Sequence, residues 1–213
     1  MHPKNWKFTA LAAFLGGLDW VWIPLVYAAY PWGAAGNRAY GHFDYLLFVG
    51  PLLFTAAMPG LFRYHGQRMH QRQRTGFVIA FAGGALLTIG SFGYAFGRML
   101  IGHDVPSPGI LLPVLIISAG FMVLSTRIIR AGSWANWDGL TPIAIGVVPL
   151  LWLLVLMSVG IFLGPPLPES AMSRFFEASF TTLIVSFGSV WMLQAFALRL
   201  VSRRRKNIAL DQR

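Results

Sequence analysis

Six apolar runs divide this chain, at residues 8–30, 43–62, 75–97, 108–126, 141–163 and 175–198, and they leave few ways to fold it. Each is close to the roughly 17–25 residues that carry a helix across a ~30 Å hydrocarbon core. In hydrocarbon, backbone N–H and C=O groups must be satisfied within the segment, so runs of this length fold as helices. The expectation is an all-α, polytopic integral membrane protein. It is a single membrane domain over residues 1–213, a bundle of six transmembrane helices, with residues 199–213 a basic cytoplasmic tail. The composition, 56% hydrophobic and only 11% charged, fits a chain whose solvent is mostly lipid.

The basic residues set the orientation. Of the seventeen Lys and Arg, all but Arg38, Arg98 and Arg174 fall on one side once the chain is threaded through six spans. By the positive-inside rule that side is cytoplasmic, and an even number of spans puts the N- and C-termini there together. The expected location is a cytoplasmic (inner) membrane, multi-pass, in a bacterium. The run 8–30 follows Lys4 and Lys7 as a secretory signal would, but it is longer than the usual ~7–15-residue apolar region and contains Asp19.

The net charge of +10 raises the question of nucleic acid. The cations hug the ends of the runs, however, with no aromatic-laced binding domain around them, which argues for lipid rather than nucleic acid. Arg68, Arg72 and Arg74, with Arg203, Arg204, Arg205 and Lys206, are read as contacts for anionic headgroups, worth ~1 kcal/mol per basic residue at a charged surface.

Several chemistries are excluded. With no cysteine there is no thiolate metal site, thiol nucleophile or disulfide. The five histidines, at 2, 42, 65, 70 and 103, all lie outside the runs, which argues against intramembrane haem ligation. No lysine lies inside a run to form a Schiff base. His65 and His70 share a loop with four arginines and no carboxylate, so no metal is expected there, and no cofactor is read anywhere.

Inside the runs, Asp19 is the one ionisable group near mid-span. A carboxylate at that depth costs several kcal/mol unless it is paired, hydrated or protonated, and the other runs offer no cation at matching depth. Asp19 is therefore either a proton- or ligand-handling group or an acid bonded to a neighbouring helix through a hydroxyl of the sixth run, Thr88 or Ser91. Thr182, Ser186 and Ser189 share a face of the sixth run and either line a polar path or bond back to their own helix. Asp44 and Glu177, near the outer ends of their runs, complete the candidate set as a charged mouth or as hydrated rim charges.

The third run repeats small residues at helical spacing, with Gly76, Gly83, Gly90, Gly93 and Gly97 forming a packing seam along which another helix approaches closely. That pattern places the third helix at the centre of the bundle, with an internal partner favoured over a second subunit. Pro24, Pro51, Pro59 and Pro149 predict kinks. Ser107-Pro108 and Thr141-Pro142 predict the starts of the fourth and fifth helices, with Asp138-Gly139 a break before the latter.

No motif names a reaction. The leading expectation is an accessory or scaffold membrane subunit, partnered by the anionic bilayer and by another membrane protein or a second copy. The alternatives are a small-solute or proton-coupled carrier using Asp19 and a membrane-embedded lipid-modifying enzyme. The enzyme reading is the weakest, because it needs two carboxyls with separated affinities for protons at similar depth.

Overall fold

In a computed structural model the chain is described over residues 4–29, 48–66, 71–101, 111–130, 137–162 and 169–211. These form six helices: α1 Lys4–Ala29, α2 Val49–Gly66, α3 Gln71–Ile101, α4 Leu111–Arg130, α5 Trp137–Phe162 and α6 Glu169–Asp211. Among the described residues, Arg74–Tyr94 and Thr181–Leu200 are long and apolar enough to cross a membrane, and Leu111–Thr126 and Gly139–Val155 are shorter apolar helices.

Each helix packs on its neighbours in sequence, and α6 returns against α1, so the six close into a ring. Neighbours run antiparallel, as the pairings show. Thr9 lies against Gly60 and Trp20 against Gly50 between α1 and α2. Phe62 meets Phe77 and Phe48 meets Phe92 between α2 and α3. Gly76 faces Gly120 and Val123, and Gly83 faces Ile116 and Ile117, between α3 and α4. Alternation of this kind gathers Lys7, Arg63, Arg74, Arg130 and Arg199 toward one end of the ring.

Both faces of these helices are largely apolar. Buried positions include Thr9, Ser91, Ser118, Ser125, Thr141, Ser179 and Gln194, while large apolar side chains face outward on every helix. On α1 the outward stripe is Phe8, Leu11, Leu15, Leu18 and Trp22, at the three- and four-residue steps of one helix face. Where helices cross most closely the residues are small, as at Gly17 with Gly188 and Gly76 with Gly120, because a side chain there would meet the facing backbone.

Three expectations change. Helix α3 is not central: its neighbours are α2 and α4, and its outer face carries exposed Val78, Phe81 and Ile89. Helix α5 starts at Trp137, about one turn before Thr141-Pro142, so Asp138-Gly139 lies inside its first turn rather than breaking it. The extra turn costs one backbone hydrogen bond at Pro142, and it brings Thr141 against Gln194 of α6. Pro51 makes no mid-helix kink, because α2 begins at Val49 and a proline in the first turn lacks an N–H that would have had no helical partner.

Helix α6 continues through the basic segment to Asp211. Arg, Lys, Leu and Ala there are all good helix formers, so nothing in the local sequence stops it.

Candidate functional site

Asp19 lies midway along α1, half-buried, on the side that faces α2. Its position follows from the α1–α2 pairing. With Thr9 at Gly60 and Gly16 at Phe54, the antiparallel run brings Asp19 and Trp20 to the first turn of α2. There the Gly50 N–H donates to Asp19 Oδ2 at 2.9 Å.

The chemistry of that bond is the chemistry of a helix start. Gly50 is the second residue of α2, preceded by a 3-10-helical Phe48, and N–H groups in a helix's first turn tend to lack a carbonyl partner and to carry the partial positive charge of the helix dipole. An acid supplied by the neighbouring helix answers both. Twelve residues separate Lys7 from Asp19, about 18 Å of helix at 1.5 Å per residue, so the Asp19–Gly50 bond lies well away from the basic end of the ring. Glycine at position 50 is required by the contact: a Cβ there would stand 2.7 Å from Trp20 Nε1 and 2.9 Å from Asp19 Oδ2.

Around this bond the ring is filled by aromatic side chains. Trp20 of α1 meets Phe54 of α2 edge-on at 5.4 Å and Phe187 of α6 at 5.6 Å. Phe54 stacks on Trp191 at 4.7 Å, and Trp191 meets Phe121 of α4 edge-on at 5.9 Å. Phe54, Phe121, Phe187 and Trp191 are all at most 1% exposed, so four helices share one aromatic plug. The indole N–H groups of Trp20 and Trp191 are buried without a hydrogen-bond partner, which marks two polar atoms inside that plug.

Two hydroxyls of α6 bond locally. Thr182 donates to the Ala178 carbonyl at 2.8 Å and Ser189 to the Val185 carbonyl at 2.7 Å, both within the helix. Thr182 is exposed, and Ser186 is half-buried. Ser91, weighed as a partner for Asp19, is buried with its hydroxyl unpartnered. Thr88 instead meets Thr55 of α2 at 3.1 Å. Each of those two hydroxyls also reaches a carbonyl of its own helix, Pro51 O and Gly84 O, both at 2.9 Å. A hydroxyl has one proton, so when the threonines bond each other one back-bond is surrendered.

A second polar contact, between Thr141 and Gln194, lies toward the basic end. The Thr141 hydroxyl donates to Gln194 Oε1 between α5 and α6, both buried. Gln194 Nε2 has no partner. The sequence offered a signal for the α2 start, since Gly50-Pro51 is the same first-turn proline used to place other helices. It offered little for Thr141 with Gln194, whose meeting depends on the register of two helices far apart in sequence.

The glycine seam of α3 is real over part of its length. Gly76 and Gly83 pack on α4, and Gly84 packs on Thr55 and Met58 of α2. Gly93 is exposed, and a Cβ there would meet nothing within 4 Å. Gly90 is half-buried. Arg74 is exposed at the basic end. Asp44 and Arg68 lie outside the described residues, as do the side chains of Glu177, Gly97, Arg72, Arg203, Arg204, Arg205 and Lys206. Among the described residues no three His, Cys, Asp or Glu side chains group as metal ligands.

No protein-family model, curated protein or solved structure matches this chain.

Proposed function

We propose that the protein is a six-span accessory or scaffold subunit of a cytoplasmic membrane, with both termini on the cytoplasmic side, and that Asp19 holds the fold together rather than moving protons or solute. The observation that carries this reading is the use made of Asp19. Its carboxyl is spent on the Gly50 N–H beside an aromatic plug shared by α1, α2, α4 and α6, and Thr182 and Ser189 bond within α6. A carrier needs polar groups converging on a hydrated path; here the middle of the ring is occupied by rings of Phe and Trp.

Membrane residence is supported by the large apolar side chains exposed on every helix and by Arg74–Tyr94 and Thr181–Leu200, which are long and apolar enough to cross a membrane. The gathering of described cations at one end supports the orientation. The subunit reading rests on the large outward apolar side chains of α1 and α3 as surfaces for another membrane protein or a second copy.

Two measurements test it together. Native purification in mild detergent is expected to return a membrane protein partner, or a second copy, at fixed stoichiometry. Proteoliposomes carrying wild type or Asp19→Asn are expected to pass no more protons than empty vesicles. Proton flux by wild type that Asp19→Asn abolishes would overturn the reading in favour of the carrier.

A further inference from the structure

A groove of about 590 Å³ runs between α1 and α6, open on one side. Its origin is in the packing. Gly17 of α1 and Gly188 of α6 bring the two backbones together mid-helix, where a Cβ on Gly17 would collide with the Gly188 carbonyl. Lys7 lies ten residues before Gly17 and Arg199 eleven after Gly188, so antiparallel helices carry both cations about 15–16 Å toward the same end. Between crossing and cations, the groove is lined by small Ala10 and Ala195 and by large Leu11, Phe14 and Phe196. The three large side chains are 40–60% exposed.

This is a surface with two chemistries in a fixed order. Two cations lie at the basic end of the ring, and two turns of apolar wall, about 10 Å from Lys7 to Phe14, lead from them toward the middle. The stem of Lys7 can lie along the apolar wall while its charged head reaches the headgroup level, and Arg199, already engaged by another group, has a five-donor guanidinium that can serve a phosphate as well. Charge and shape together match an anionic glycerophospholipid, with its phosphate toward the cations and one acyl chain against Leu11, Phe14 and Phe196.

We propose that the α1–α6 groove is a specific site for one anionic phospholipid, held by Lys7 and Arg199 at its headgroup and by Leu11, Phe14 and Phe196 along its chain. The proposal rests on the membrane reading above. It differs from the general attraction of Arg203, Arg204, Arg205 and Lys206 for a charged surface in being a single stoichiometric site.

Native mass spectrometry of the full chain, exchanged into detergent with phosphatidylglycerol or phosphatidylcholine added, tests it. Wild type is expected to retain one phosphatidylglycerol and to hold phosphatidylcholine much more weakly. Lys7→Gln with Arg199→Gln is expected to weaken phosphatidylglycerol retention at least about 100-fold, the effect of losing two charge-assisted contacts to the phosphate. Replacing Arg203, Arg204, Arg205 and Lys206 together by Gln is expected to leave that one lipid bound. A second variant, Phe14→Ala, removes part of the apolar wall seven residues from Lys7 without changing either cation and is expected to weaken retention while the circular dichroism spectrum stays that of a folded helical protein. Equal retention of both lipids by wild type, or unchanged retention by the Lys7/Arg199 variant, would overturn the site. Failure of the membrane reading registers separately, as a protein that remains in solution without detergent and does not float with vesicles of either lipid.

Discussion

Asp19→Asn and Asp19→Ala separate the two things a carboxyl can do at the start of α2. An Asn oxygen accepts the Gly50 N–H as Asp19 Oδ2 does, whereas Ala leaves that donor without its partner. Loss of a capping side chain costs about 0.5–2 kcal/mol, so Asp19→Ala is expected to lower unfolding free energy in an SDS titration by roughly 1 kcal/mol and Asp19→Asn by clearly less. Equal losses would show that charge, not the hydrogen bond, matters there. Thr141 and Gln194 give a prediction of different form. Thr141→Val alone removes the donor to Gln194 Oε1 and leaves both polar atoms of a buried amide unpartnered, which costs about 1–3 kcal/mol. Thr141→Val with Gln194→Leu removes the orphaned amide as well and is expected to recover most of that loss in the same titration. The acid itself was legible in the sequence as the one mid-span charge. Its partner was not, because hydroxyls of α3 and α6 are visible as bonding groups in a sequence, while a backbone N–H becomes a donor only where a helix happens to begin.

Helix α3 shows how far a small-residue pattern carries at the scale of one element. A Cβ on Gly120 would fall against Gly76 O, Ala80 N and Ala80 Cβ, so Gly120→Ala must push α3 and α4 apart. Overpacking of that kind costs typically about 1–3 kcal/mol, against a gain of about 1 kcal/mol in helix propensity. Gly93→Ala meets nothing within 4 Å and keeps only the gain. Thermal melts in detergent are therefore expected to show Gly120→Ala melting below wild type and Gly93→Ala at or above it. The seven-residue recurrence of Gly76 and Gly83 was a true packing signal. Gly93, by contrast, is exposed with open space around it, and sequence period alone does not distinguish the two cases. Likewise, Thr141-Pro142 resembles a helix start, yet α5 runs one turn ahead of it. A first-turn proline is permitted, not required, and the contact with Gln194 decides between the two.

At the scale of the whole molecule, the ring order follows from antiparallel neighbours with α6 closing on α1, and the helical content was plain from six apolar runs. What the runs did not contain was the assignment of faces. The aromatic plug draws Trp20, Phe54, Phe121, Phe187 and Trp191 from four helices, and these residues look no different in sequence from outward Phe8, Phe14, Trp22 and Phe196. Buried and exposed faces of these helices are both apolar, so hydrophobicity cannot sort them; small residues and close crossings do. The central claim is that this ring crosses a cytoplasmic membrane six times with its basic end inside, and the absence of native cysteine makes a direct test possible. Single cysteines placed by Asn37→Cys, Pro106→Cys and Pro168→Cys, and by Gln67→Cys, Ser133→Cys and Ile208→Cys, can be exposed in intact cells to a membrane-impermeant maleimide. The account predicts labelling of the first three and protection of the last three until the membrane is permeabilised. Labelling of Gln67→Cys or Ser133→Cys in intact cells, or protection of Pro106→Cys there with labelling only after permeabilisation, would contradict it.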